Sequence, residues 1–316
     1  MDVIEKILSH QAVASAPPVL IDIGASGALH AKWKRIAKHS ICIAFDADSR
    51  EMGFTEKESN TFKKLIVFNS VVTDRGSNEI DFFLTKSPFC SSALEPDLES
   101  LKAWSFEELF HVEKKIKLKA IQLKTALQEA GMHYIDWFKT DTQGTDLRLF
   151  KSLPDTIRSN VLIAEFEPGI IDAYKGEDKL HEVIRYMHEQ RFYMSRMEVK
   201  GAHRIAPGEL GNFSWIHKKT WRHSLMKSPG WAEVTYLNSL DKGPYSKRTY
   251  LLTYLFAWLE EQFGFALDVA LAGYSNSQDP FFLELKESAL GRMRRNNLGW
   301  PRILLKKAVG KLISYL

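Results

Sequence analysis

The chain has 316 residues, 45% of them hydrophobic and 26% charged, an ordinary balance for a globular protein with a sizeable core. Its formal net charge of +4 is small and dispersed, so no nucleic-acid partner is expected. The two cysteines, Cys42 and Cys90, lack metal-ligand spacing, and Cys42 sits in the apolar run ICIAF, which points to a buried free thiol and a reducing compartment. The start, MDVIEKILSHQAV, carries charges throughout, and no run approaches the ~18–20 apolar residues of a membrane span. A cytoplasmic protein is expected.

From residue 19 to about 240, apolar runs alternate with amphipathic ones. VLIDIG reads as a buried strand, ALHAKWKRIAKH as a helix and ICIAFDAD as a second strand. FKKLIVFNSVVTD reads as a third strand, and NEIDFFLT alternates like a half-exposed one. IQLKTALQEAG is a helix ending in glycine, as helix C-termini favour. YIDWFKTD is a strand, GTDLRLFKSLPDTIRS a helix and VLIAEFEP another strand. KLHEVIRYMHEQ is a helix, followed by the strands FYMSRMEV and WAEVTYLN. Strands separated by helices predict an α/β fold, a mainly parallel sheet with helices on both faces. After about residue 245, RTYLLTYLFAWLEEQFGFALDVALAGY is apolar and aromatic at helical spacing. Two regions are therefore expected, 1–244 and a helical C-terminal extension, 245–316.

In an open parallel sheet, ligands bind outside the carboxyl ends of the strands, where strand order reverses. Asp22, Asp46 and Asp141 each close a predicted strand. Gly24 and Gly27 let a ligand approach the backbone after the first strand, and Asp46 is spaced to accept from the two ribose hydroxyls of a nucleotide. A dinucleotide site favours G-x-G-x-x-G; this chain has G-A-S-G with an acid two residues before it. That carboxylate repels a pyrophosphate but suits a ligand carrying an ammonium group, as S-adenosylmethionine does.

Taken together, VLIDIGASGALHAKW, IAFDAD, WFKTDTQGTDLRLFKSL and VLIAEFEP resemble the FkbM-type family of S-adenosylmethionine-dependent methyltransferases, in the family's order over roughly residues 15 to 240. The resemblance implies a seven-stranded, mainly parallel Rossmann-like sheet. It also implies that Asp22, Gly24, Ala25, Ser26 and Gly27 hold the amino-acid end of the cofactor and that Asp46 stands for the ribose-binding acid. Lys139, Asp141, Gln143, Gly144 and Asp146 match the signature K-x-D-x-Q-G-x-D/E. Ser91 and Ser92 match a serine pair, and Glu165 and Glu167 an acidic strand end facing the same cleft, so Ser91, Ser92, Gln143, Glu165 and Glu167 are expected to meet the substrate. Two positions depart: Ser26 replaces the usual asparagine, and Lys124 stands where an aspartate is expected.

The implied reaction is methyl transfer to a hydroxyl oxygen, with a sugar hydroxyl in a glycan, glycolipid or secondary metabolite as acceptor. Asp141 is the candidate general base and a further cofactor contact. His133 precedes its strand and belongs at the opposite end of the sheet, whereas His203, His217 and His223 lie in a connection suited to acceptor binding. No H-x-x-H or C-x-x-C pattern calls for a transition metal. Tyr250, Tyr254, Phe256 and Trp258 recur at helical spacing, which fits core packing before a sugar platform. The basic end WPRILLKKAVGKLISYL fits either a peripheral membrane contact or a helix docked on protein. Two other classes share parts of the pattern: an NAD-dependent nucleotide-sugar enzyme, and a cofactor-binding module without catalysis.

Overall fold

A computed structural model describes residues 2–24, 31–45 and 61–297. The chain divides into two compact units: Pro17–Ser239, and Met1–Ala16 together with Leu240–Leu316. The helical unit thus recruits the first 16 residues, which the sequence reading placed with the sheet.

The larger unit is α/β. Its strands are β1 (Val19–Ile23), β2 (Ile41–Phe45), β3 (Lys64–Phe68), β4 (Val71–Val72), β5 (Glu79–Thr85), β6 (Val112–Ile121), β7 (Trp137–Thr140), β8 (Ile163–Phe166), β9 (Phe192–Ala202) and β10 (Ser228–Asn238). Seven form the main sheet in the order β3-β2-β1-β7-β8-β10-β9, and β4-β6-β5 form a small second sheet. The main sheet is parallel except for β10, which runs antiparallel to both β8 and β9. Strand order reverses at β1, which pairs with β2 on one side and β7 on the other. The carboxyl ends of β1 and β7 therefore form the crevice where such sheets bind ligands.

VLIDI and ICIAF form strands because both their faces are buried, as central parallel strands require. Val19, Ile21 and Ile23 join Phe138, Phe166 and Val234 in one core, closed by apolar residues of the helices Leu123–Ala130, Asp146–Lys151 and Leu180–Glu189. Phe150 is central to it, with its ring centroid 5.2 Å from Phe138, 5.5 Å from Phe166 and 6.2 Å from Phe192. On the opposite face, Trp33 meets Trp137 edge-on at 5.9 Å. Gly131 ends the Leu123–Ala130 helix in the left-handed conformation, φ 69°, as its sequence position suggests.

Three elements differ from the sequence reading. The described part of ALHAKWKRIAKH forms short 3₁₀ turns, Ala31–Arg35 and Ala37–His39, since Trp33 and Ile36, three residues apart, share a buried side. FKKLIVFNSVVTD divides between β3 and β4, which belong to different sheets. GTDLRLFKSLPDTIRS forms two short helices, Asp146–Lys151 and Asp155–Arg158, because Pro154 cannot continue the first.

In the smaller unit, Val3–Leu8 and Gln11–Ala14 pack with the helices Lys247–Leu259, Phe263–Ser277 and Phe281–Asn297. Tyr250, Tyr254 and Phe256 are buried there, and Tyr254 donates to the Leu285 carbonyl (2.7 Å), so these aromatics build core. The basic segment beyond residue 297 lies outside the described residues. Among the described residues, no helix is long and apolar enough to cross a membrane.

Truncating Phe150 leaves a void between three rings. Phe150→Ala should cost about 3–5 kcal/mol and Phe150→Leu about 1–2 kcal/mol, measured by equilibrium denaturation.

Candidate functional site

At the strand-order reversal, Gly24 follows β1 with φ +81° and donates from its amide to the Phe45 carbonyl (3.1 Å). A Cβ on Gly24 would lie 2.0 Å from the Asp141 carbonyl oxygen, so both conformation and space demand glycine. Asp141 in turn donates from its amide to the Ile23 carbonyl (2.9 Å), which joins the ends of β1 and β7. Ala25, Ser26, Gly27 and Asp46, the other expected cofactor contacts, lie outside the described residues.

Asp22 stands in register with Lys139, and Lys139 with Glu165, on three adjacent strands. Lys139 Nζ donates to Asp22 Oδ1 at 2.6 Å, and the Asp22 side chain is only 3% exposed. Burial opposes the Lys139 charge, but the carboxylates of Asp22, Asp141 and Glu165 prevail and hold its pKa above the usual lysine range. Glu165 accepts from Trp137 Nε1 (2.6 Å) and lies 3.6 Å from Lys32. Asp22 and Glu165 therefore serve as halves of buried ion pairs, and neither lines the cavity described next.

A cavity of about 1140 Å³ opens over these strand ends, lined at its floor by Gly24, Asp141, Gln143, Glu167 and Glu177. Gln143, strained at φ 56°, donates from Nε2 to Asp141 Oδ1 (2.7 Å), while its Oε1 accepts from the Tyr174 hydroxyl (3.2 Å). Asp141 is thereby held with one oxygen engaged. Burial, with Asp146 and Asp22 nearby, raises its pKa against the pull of Lys139 and Gln143. Glu167 shares a hydrogen bond with Asp141; burial first, and that neighbour second, push Glu167 up to about 9. At neutral pH Glu167 therefore keeps its proton.

Asp146 holds this arrangement together. Its Oδ1 accepts from the Thr142 amide (2.9 Å), the Thr142 hydroxyl (2.5 Å) and the Thr140 hydroxyl (3.2 Å), and its Oδ2 from the Glu167 amide (2.7 Å). Ser92 pins the same loop, donating from Oγ to the Gln143 carbonyl (2.8 Å). It does not line the cavity, whereas Ser91 does, with its hydroxyl accepting from the Thr85 amide (3.1 Å). Lys124 is exposed on its helix and away from the cavity.

Among the histidines, His133 and His217 are exposed and do not line the cavity. His203 and His223 line it, and His203 donates from Nε2 to the Leu225 carbonyl (3.1 Å). Burial pushes the Cys90 thiol, also in the wall, up to about 11, leaving it unreactive.

Several contributors escaped the sequence reading. Glu177 accepts from the Ala173 amide and from Lys179 Nζ, each at 2.6 Å, and Gly169 packs against its carboxylate. Its segment, KGED, reads only as a turn. Tyr174, Phe106, Phe110 and Trp231 complete the wall; the dense aromatics of WSFEELF were the available signal. No protein-family model matches the chain, and no curated protein matches it in sequence.

The raised Glu167 pKa has a measurable consequence. The unfolded chain loses that proton near 4.5 and the folded chain only near 9, so stability present below pH 4.5 is lost as pH rises through that window. The slope should reach at most about 1.4 kcal/mol per pH unit. Denaturation across pH 5–9 should show this decline, and Glu167→Gln should make it shallower.

Proposed function

We propose that the protein is an S-adenosylmethionine-dependent methyltransferase that resembles the FkbM type and methylates a hydroxyl oxygen, with a sugar hydroxyl as the acceptor the resemblance implies. The observation that carries this reading is Gly24, left-handed and pressed on the Asp141 backbone at the strand-order reversal, beneath a large cavity with a carboxylate floor. The sheet order also favours it. Its first five strands follow the 3-2-1-4-5 progression of doubly wound folds, but the last strand in the chain is inserted antiparallel before the sixth, unlike the 3-2-1-4-5-6 dinucleotide order.

The residues fit the cofactor's chemistry. Gly24, packed directly on the Asp141 backbone, brings the end of β1 to the cavity wall, and Asp141 and Glu167 form an acidic surface suited to ammonium and sulfonium charge. The same acids oppose a pyrophosphate, which weakens the NAD-dependent alternative. Bound S-adenosylmethionine supplies an electrophilic methyl carbon on sulfur. The chain's own part is positioning and proton transfer. Asp141, oriented by the Gln143 amide, accepts the acceptor hydroxyl's proton, and its raised proton affinity suits that task. Glu167, protonated, donates to Asp141 and limits the charge on the floor.

Calorimetric titration tests the cofactor class. The full chain should bind S-adenosylhomocysteine with micromolar affinity and NAD⁺ not at all, and Gly24→Ala should abolish binding. Binding of NAD⁺ alone, or of neither, would overturn the reading.

A further inference from the structure

Pockets for single small ligands extend to about 1,000 Å³, and this cavity of about 1140 Å³ leaves room beside the floor for a second molecule. One wall is a continuous aromatic row. It begins at Tyr174, whose hydroxyl contacts Gln143, the residue that orients Asp141. Phe110 lies 5.6 Å from Tyr174, Phe106 5.3 Å from Phe110, and Trp231 stands edge-on 6.5 Å from Phe106. Phe110 and Tyr174 are nearly buried, whereas Phe106 and Trp231 retain exposure where they line the cavity.

The far end of this row differs in charge from the floor. The Ser105 amide donates to the His203 carbonyl (3.0 Å), which sets His203 beside Phe106. Lys227 and His223 line the cavity with it. Lys227 lies against Gly201, whose missing side chain leaves the Lys227 Cβ 3.4 Å from the place a Cβ would take. Lys227 pairs with no carboxylate among the described residues, while Glu177 at the floor is matched by Lys179. The cavity is thus acidic at one end, largely apolar along its length, where the lining carboxylate of Glu108 pairs with Lys86 (3.3 Å), and basic at the other.

We infer that the acceptor is an elongated amphiphile: its hydroxyl rests at Asp141, an apolar ring or chain lies along Tyr174, Phe110, Phe106 and Trp231, and an anionic group sits beside Lys227 and His223. The fate of the hydroxyl rests on the methyltransferase reading; the binding of the apolar body and the anion does not. A small, uniformly polar sugar would leave the exposed faces of Phe106 and Trp231 in water, without the apolar burial that favours ligand binding.

Calorimetry on the full chain tests this with octyl phosphate, below its micellar range, against inorganic phosphate and 1-octanol. Octyl phosphate should bind at least tenfold more tightly than either comparator. Lys227→Glu should weaken octyl phosphate at least tenfold and leave 1-octanol unchanged, whereas Phe106→Ala should weaken both. S-adenosylhomocysteine binding retained by Lys227→Glu would show that the fold survives. Octyl phosphate binding no tighter than inorganic phosphate, or indifference to Lys227→Glu, would overturn the inference. Loss of S-adenosylhomocysteine binding by the unaltered chain, with octyl phosphate still bound, would instead overturn the methyltransferase reading alone.

Discussion

The site depends on the carboxylate of Asp146. It takes hydrogen bonds from Thr140 at the end of β7, from the backbone and side chain of Thr142 in the following loop, and from the Glu167 amide just past β8. Four donors on one almost fully buried carboxylate offset the cost of taking its charge out of water. They also fix the loop that carries Asp141 and Gln143 over the end of β1. Without that anchor, the strained Gln143 backbone and the contact between Gly24 and Asp141 rest only on the Ser92, Tyr174 and Ile23 hydrogen bonds.

Charge is arranged around this anchor in two layers. The row Asp22–Lys139–Glu165 runs across three strands and places a buried cation behind Asp141. Above it, Glu167 keeps its proton at neutral pH, so the cavity floor does not gather two full charges. The lysine moderates the proton affinity that burial would otherwise give Asp141.

Much of this was legible in the sequence, and the exceptions share a cause. The runs VLIDI, ICIAF and IAEF read directly as strands because central parallel strands are apolar on both faces. The glycine after β1 and the K-T-D-T-Q-G-T-D segment meet at the corner where strand order reverses. β6 carries the alternation of a half-exposed strand, Lys115, Lys117 and Lys119 against Ile116, Leu118 and Ala120, but the acidic residues it pairs with, Glu79 and Asp81, sit on β5, distant in sequence. Asp22 reads locally as a ligand-facing acid, yet its partner is Lys139, 117 residues later. Register between strands decides such pairings, and a local motif carries no register. The same holds for the aromatic row, whose members come from three separate segments.

The central claim, that the corner between β1 and β7 is a nucleoside cradle, is tested most directly by amide hydrogen exchange with and without S-adenosylhomocysteine. The account predicts that protection rises at Gly24 and across Asp141–Gly144 while the helical unit of residues 240–297 stays unchanged. Protection confined to other segments, with these amides unmoved, would contradict it.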